Sequence, residues 1–102
     1  RRVRHFPIPP HISLQGDGQG RHWVLELSCA DRLGLLYLLA RVLTDYRLSV
    51  QSAKIVTLGE RVEDRLVLSG PGLHDETLRS RLELALLQAL EPEHKTPELI
   101  AF

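Results

Sequence analysis

One loop combines residue types that suit the binding of a small anionic group. The stretch from Asp31 to Leu36 reads DRLGLL and joins a predicted strand to a predicted helix. The free N–H groups at the start of a helix favour a carboxylate, and Gly34 allows a ligand or another backbone to approach closely. The alternative is that Asp31 only caps the helix and that Gly34 only makes a packing contact. Local physical chemistry leaves both interpretations open.

The histidines and the cysteine do not form a catalytic or metal-binding pattern. There is one cysteine, and no two of the five histidines are three or four residues apart, so a zinc site is not expected. The histidines are His5, His11, His22, His74 and His94. Cys29 has no neighbouring base in the sequence, so we interpret it as a small buried hydrophobic residue.

The acidic and glycine-rich segments also have structural interpretations. Glu63 and Asp64 are adjacent on a predicted strand, so they lie on opposite faces and do not act as an acid pair. Asp64 shares its face with apolar residues, and we expect it to hydrogen-bond to backbone near the end of the sheet. Residues 16–20 (GDGQG) lie between two predicted strands with no helix behind them, which indicates a hairpin turn rather than a phosphate loop.

Length and composition indicate one globular domain. The chain has 102 residues, of which 43% are hydrophobic. Thirteen basic residues balance thirteen acidic ones, which argues against a nucleic-acid or membrane-surface partner. The chain has no methionine and begins at Arg1, so we expect it to be a piece of a longer protein. A single cysteine excludes an internal disulfide and fits a cytoplasmic location, and no apolar run is long enough to span a membrane.

The hydrophobic pattern predicts the elements that position this loop. Residues 22–28 alternate as a half-buried strand, and a helix of about three turns follows with Asp31 as its N-cap. Residues 48–58 and 61–69 form two further strands joined by a type II′ turn at Gly59. The apolar residues of the first of these change parity, which predicts a bulge near Gln51 and Ser52.

A second helix is predicted near the end of the chain. It is capped by His74 or Asp75 and runs to about Leu90. Asp75–Arg79 and Arg79–Glu83 have the spacing of exposed ion pairs on its outer side.

This order of elements predicts an α+β, ferredoxin-like fold (βαββαβ) with an antiparallel sheet and two helices on one face. The fold needs a fourth strand beside the first. The conventional candidate is the tail at 98–102, and the favoured alternative is an N-terminal strand at 11–15, which forms a hairpin through the glycine turn. We accordingly expect a linker at 1–10, a domain at 11–91 and a C-terminal tail at 92–102.

The DRLGLL loop, followed by LSVQSAKI at 48–55, resembles the signature of ACT domains, with Leu33 where the family's loop has proline. The resemblance implies an amino-acid-binding module that works in pairs. Carried over by position, it implies that the ligand contacts are Asp31, Arg32, Gly34, Leu35, Ser49 and Gln51.

A more specific resemblance comes from KIVTLGERVED at 54–64 and from VRHFP at 3–7. Both are similar to the last ACT domain, and the linker before it, of bifunctional uridylyltransferase/uridylyl-removing enzymes. That family implies a glutamine sensor that controls modification of the PII signalling protein in nitrogen regulation, with a sister ACT domain or a second copy as partner. The resemblance implies no catalytic residue and no cofactor in this segment, and Mg²⁺ in the catalytic domains of the parent enzyme. The alternative is an interaction module without a small ligand, which uses the sheet edge and the outer residues Leu84 and Leu87.

Overall fold

The computed structural model describes residues 8–91. Residues 1–7 and 92–102 lie outside the described part of the chain, and so does the conventional fourth-strand candidate at 98–102. The elements in chain order are β1 (His11–Gly16), β2 (Trp23–Ala30), α1 (Leu35–Asp45), β3 (Ser49–Leu58), β4 (Arg61–Ser69), a 3₁₀ turn (Pro71–His74) and α2 (Glu76–Leu90). Neither helix of this part of the chain is long and apolar enough to cross a membrane.

The four strands form one antiparallel sheet in the order β1-β2-β4-β3. The N-terminal strand therefore occupies the position beside β2, as the hairpin alternative predicted. Its register places Ile12 opposite Leu27 and Leu14 opposite Leu25. Asp17 fixes the intervening turn, because its carboxylate accepts hydrogen bonds from the N–H groups of Gln19, Gly20 and His22. The predicted α+β, ferredoxin-like fold is confirmed.

One face of the sheet packs against both helices. On β2 the alternation places Leu25, Leu27 and Cys29 in the core. The core also takes in leucines at every fourth position of each helix: Leu35, Leu39 and Leu43 on α1, and Leu82, Leu86 and Leu90 on α2. This packing fixes the start of α1 over the end of β2, where the loop of interest lies.

Strand β3 is one of the two edge strands of the sheet, and it is more exposed than β1, the other edge strand. All residues of β3 are exposed, including Val50 and Ile55. The predicted bulge is confirmed, since the register with β4 shifts between Val50 and Ser52. The hairpin turn is confirmed as well, with Gly59 at a φ of 65°. After the bulge, the apolar side chains of β3 lie on the helix side of the sheet, yet they stay accessible to solvent.

Helix α2 begins as predicted but does not form the predicted ion pairs. The Asp75 side chain accepts a hydrogen bond from the N–H of Thr77, as an N-cap does. Arg79 pairs with neither Asp75 nor Glu83. Its guanidinium donates instead to the carbonyl of Leu73 at 2.6 Å and lies 4.5 Å from the centre of the Trp23 ring. A partly buried carbonyl and an aromatic face stabilise it more than an exposed ion pair on a helix surface does.

Candidate functional site

The loop from Asp31 to Leu36 is attached to the neighbouring hairpin. The N–H of Asp31 donates to the carbonyl of Glu60 at 2.8 Å, which extends the end of the sheet by one residue. The chain then turns through Gly34, whose φ of 80° lies in the left-handed region that favours glycine. Helix α1 starts at the next residue.

The predicted cap of this helix was wrong. The N-cap is Gly34, and no side chain accepts a hydrogen bond from the first turn of α1. Asp31 lies too early in the chain because its backbone still belongs to the end of the sheet. The first turn also has no acidic residue, so the partial positive charge of the helix N-terminus is not compensated within the helix. A bound anion can supply that compensation.

Beside this helix start is a cleft of about 320 Å³. One wall is the loop with the first turn of α1, and the other is formed by strands β3 and β4. The lining residues are Asp31 to Tyr37, Ile55, Thr57, Val62 and Asp64. Its rim is apolar and accessible: Leu33 is 99% exposed, and Leu36 and Tyr37 are each more than half exposed.

The four predicted ligand contacts in the loop all line this cleft, but one of them is already engaged in a hydrogen bond outside it. Asp31, Arg32, Gly34 and Leu35 all line it. The guanidinium of Arg32, however, donates to the carbonyl of Glu91 at 2.9 Å, just beyond the end of α2. A cation there interacts favourably with the negative end of the helix dipole.

The other two predicted contacts lie elsewhere on this chain. Ser49 and Gln51 are at the start of β3, whereas the cleft meets that strand at Ile55 and Thr57. Ile55 lies six positions after Ser49, which is about 20 Å along a strand. The amide of Gln51 donates to the hydroxyl of Ser69 at 2.8 Å. Within residues 8–91 of one copy, these two side chains and the loop do not form one site.

Asp64 is the functional candidate that the sequence reasoning placed incorrectly. The predicted hydrogen bond to backbone is absent, and both carboxylate oxygens are buried without a hydrogen-bond partner. The residue is 3% exposed, the one buried charged residue in the described chain. Burial raises the pKa of its carboxyl above the ordinary value. The sequence does carry a signal for this position, because Asp64 alternates in phase with Val62 and Leu66 and so lies on the apolar face of β4.

Cys29 behaves as a core residue. It is 1% exposed, and burial raises the pKa of its thiol, with a further upward contribution from the nearby charge of Asp64. A thiol with a raised pKa is a poor nucleophile at neutral pH. Glu63, in contrast, is exposed on the opposite face, so the expected separation of Glu63 from Asp64 is confirmed.

The opposite face of the sheet has a wider and more polar depression of about 470 Å³. Glu26 pairs there with Arg65, and Arg61 pairs with Glu63 at 3.2 Å. The charges of these four residues compensate one another, and Lys54 lines the same depression. Among residues 8–91, no three His, Cys, Asp or Glu side chains are grouped so that they could hold a metal ion.

Comparison with known proteins identifies close relatives. The chain is 49% identical over 90 residues to the bifunctional uridylyltransferase/uridylyl-removing enzyme of Burkholderia orbicola (strain MC0-3). The identity is the same to the enzyme of that name from Aromatoleum aromaticum. This chain is a relative of one segment of these enzymes. Each match covers 88% of the chain and 10% of the relative, so the chain spans about one tenth of their length. No protein-family model matches it.

Solved structures support the fold. An unknown protein from Galdieria sulphuraria superposes with a TM-score of 0.56 at 23% identity, over 65% of this chain and 39% of that one. A formyltetrahydrofolate deformylase from Pseudomonas putida KT2440 superposes with a TM-score of 0.53 at 24% identity, over 63% of this chain and 24% of that one. These neighbours are consistent with an ACT-type, ferredoxin-like arrangement.

Proposed function

We propose that this segment is an ACT-type regulatory module that binds glutamine and thereby controls the uridylylation and deuridylylation of the PII protein by a parent enzyme. The similarity to bifunctional uridylyltransferase/uridylyl-removing enzymes supports the enzyme context. The observation that carries ligand binding is the cleft between the uncapped start of α1 and strands β3 and β4.

One end of the cleft has hydrogen-bond donors that suit the carboxylate of an amino acid. The N–H groups of the first turn of α1 have no side-chain acceptor, and they suit the α-carboxylate of a ligand. The apolar rim at Leu33 and Leu36 shields that interaction from water when a partner covers it. The loop therefore orients the ligand, and the chain does no chemistry on it.

A partner domain completes the site in this proposal. Strand β3 is an open edge whose backbone can pair with a second strand. When two such edges pair in antiparallel fashion, the start of one strand lies beside the end of the other. The Ser49 and Gln51 positions of the second domain then lie near Ile55 and Thr57 of the first, beside the cleft. A second copy or a sister domain of the same fold can fill this role.

Isothermal titration with glutamine tests the proposal. We expect saturable binding to this chain, or to the chain joined to the neighbouring domain of its parent enzyme. Binding only in the joined protein would place the site between the two domains. No binding in either protein would overturn the sensing role. Gly34→Ala is expected to weaken binding, and Gly18→Ala, a glycine with a similar φ in the distant β1–β2 turn, is the matched control.

A module that only mediates assembly is the second candidate, and it is favoured by one observation. Leu84 on the outer side of α2 is 57% exposed, in addition to the exposed edge of β3. In that case assembly would depend on these surfaces and would not respond to glutamine.

A further inference from the structure

The charge of the Asp64 carboxylate is not compensated by the residues around it. Its carboxylate is 3% exposed, and neither oxygen has a hydrogen-bond partner. A buried carboxylate without a partner is costly, and such groups normally pair with a cation or accept several hydrogen bonds. An unsatisfied group of this kind is typical of a functional position rather than of a stabilising one.

The cations near Asp64 are engaged elsewhere or face away. Arg32 lines the same cleft, but its guanidinium donates to the carbonyl of Glu91. Lys54 precedes Ile55, the cross-strand neighbour of Asp64, and so lies on the opposite face of the sheet. Within residues 8–91, no ion pair includes Asp64. Its surroundings on β2 are Leu27, directly opposite, and Cys29.

We propose that Asp64 recognises the α-ammonium group of the bound amino acid, so that the cleft selects ligands with a free amino group. Asp64 and the uncapped start of α1 line the same cleft, one offering negative charge and the other positive. An α-amino acid bears a carboxylate and an ammonium group on one carbon, and it can therefore meet both. This inference rests on the proposed function and adds the residue that determines ligand class.

The burial of Asp64 has a consequence for the loop. Each of its carboxylate oxygens has less than 1 Å² of solvent-accessible surface, so in this proposal the ammonium group reaches them when the loop shifts. Asp31 and Arg32 are held by hydrogen bonds to Glu60 and Glu91, so the part that can shift is the centre of the loop. There Leu33 is 99% exposed, and nothing lies within 4 Å of the position that a Cβ on Gly34 would take. Ligand binding is thereby coupled to loop position, because the new ion pair offsets the cost of the displacement.

Calorimetric titration with two ligands tests this assignment. Glutamine is compared with glutaramate, which is glutamine without its α-amino group. We expect the unmodified protein, alone or joined to its neighbouring domain, to bind glutamine about tenfold to one hundredfold more tightly than glutaramate. Asp64→Asn should lose that preference and bind both ligands with similar, weak affinity. Glu63→Gln, which removes an exposed charge from the adjacent position, should keep it.

The outcomes separate the two proposals. Equal affinity of the unmodified protein for glutamine and glutaramate would overturn the role of Asp64 and leave glutamine binding intact. A normal preference in Asp64→Asn would overturn it as well. Binding of neither ligand would defeat the proposed function itself, and this assignment with it. The comparison of ligands on the unmodified protein does not depend on how the variant folds.

Discussion

At the scale of single residues, Asp64 is the group on which the proposed ligand recognition rests, and its burial also affects the stability of the fold. Its parity on β4 could be predicted from the sequence, because Val62, Leu66 and Leu68 alternate with exposed residues. The lack of a hydrogen-bond partner for its carboxylate could not be predicted from the sequence, because it depends on where the Asp31–Leu36 loop and the Arg32 guanidinium lie in three dimensions. A residue that departs from the local rules in this way marks a functional position more often than a folding error.

The raised pKa of Asp64 predicts a pH-dependent stability. Between the ordinary value of 3.8 and the raised folded value, the folded state holds a proton that the unfolded state has lost. The free energy of unfolding therefore falls as pH rises through that window. Asp64→Asn should remove this component, whereas Glu63→Gln should retain it. Urea unfolding from about pH 4 to about pH 8 measures the difference, and an unchanged profile in Asp64→Asn would contradict the account.

Gly34 gives a second prediction at this scale. Its φ of 80° is strained for any residue with a Cβ, although nothing crowds the site. Gly34→Ala should cost about 1 kcal/mol of unfolding free energy, and Gly18→Ala, at a φ of 86°, should cost about the same. Denaturant unfolding measures both. Glutamine affinity should fall only for Gly34→Ala, and an equal loss in both variants would show that strain alone, rather than the loop's position, affects binding.

At the scale of elements, the sequence was most informative where period and turn chemistry agreed. The N-terminal hairpin, the β3 bulge and the Asp75 cap were all predicted from local patterns and were confirmed. The cap of α1 was wrong, because an aspartate before a helical stripe fits an N-cap equally well whether or not its backbone continues the sheet. The hydrogen bond from Asp31 to Glu60 decides the matter, and it joins residues distant in sequence.

Substitution of Asp31 and of Asp75 tests directly which of the two side chains caps a helix. Asp75→Ala removes a formed cap and should lower the free energy of unfolding by about 1 kcal/mol. Asp31→Ala removes a side chain that makes no capping bond and should change it by less than about 0.5 kcal/mol. Chemical denaturation of the two variants side by side measures this. Equal losses would mean that Asp31 caps α1 after all.

At the scale of the whole molecule, the proposal makes the cleft one half of a site. β3 pairs with β4 on one side, and its outer edge and the apolar rim beside it are exposed. Association through this edge would protect both. The sequence could predict the strand but not its exposure, since the order β1-β2-β4-β3 is a property of the assembled sheet. The identity of the partner strand lies beyond one copy of the chain.

Charged substitutions locate the association surface. Val50→Lys places a charge on the β3 edge, away from the cleft, and should weaken association by about tenfold or more. Leu84→Lys places a charge on the outer side of α2, which is the surface of the competing assembly hypothesis, and should leave association unchanged. Sedimentation velocity over a range of concentrations measures both. The opposite pattern would favour association through α2.

The central claim is that glutamine binds in the cleft between the start of α1 and Asp64. Titration of glutamine into ¹⁵N-labelled chain, followed by amide chemical shifts, tests it most directly. We predict that the largest shifts fall on Gly34, Leu36 and Asp64, with Glu26 and Arg65 on the opposite sheet face unaffected. Shifts concentrated on that opposite face would contradict it, as would the absence of shifts at millimolar glutamine both in this chain and in the chain joined to its neighbouring domain.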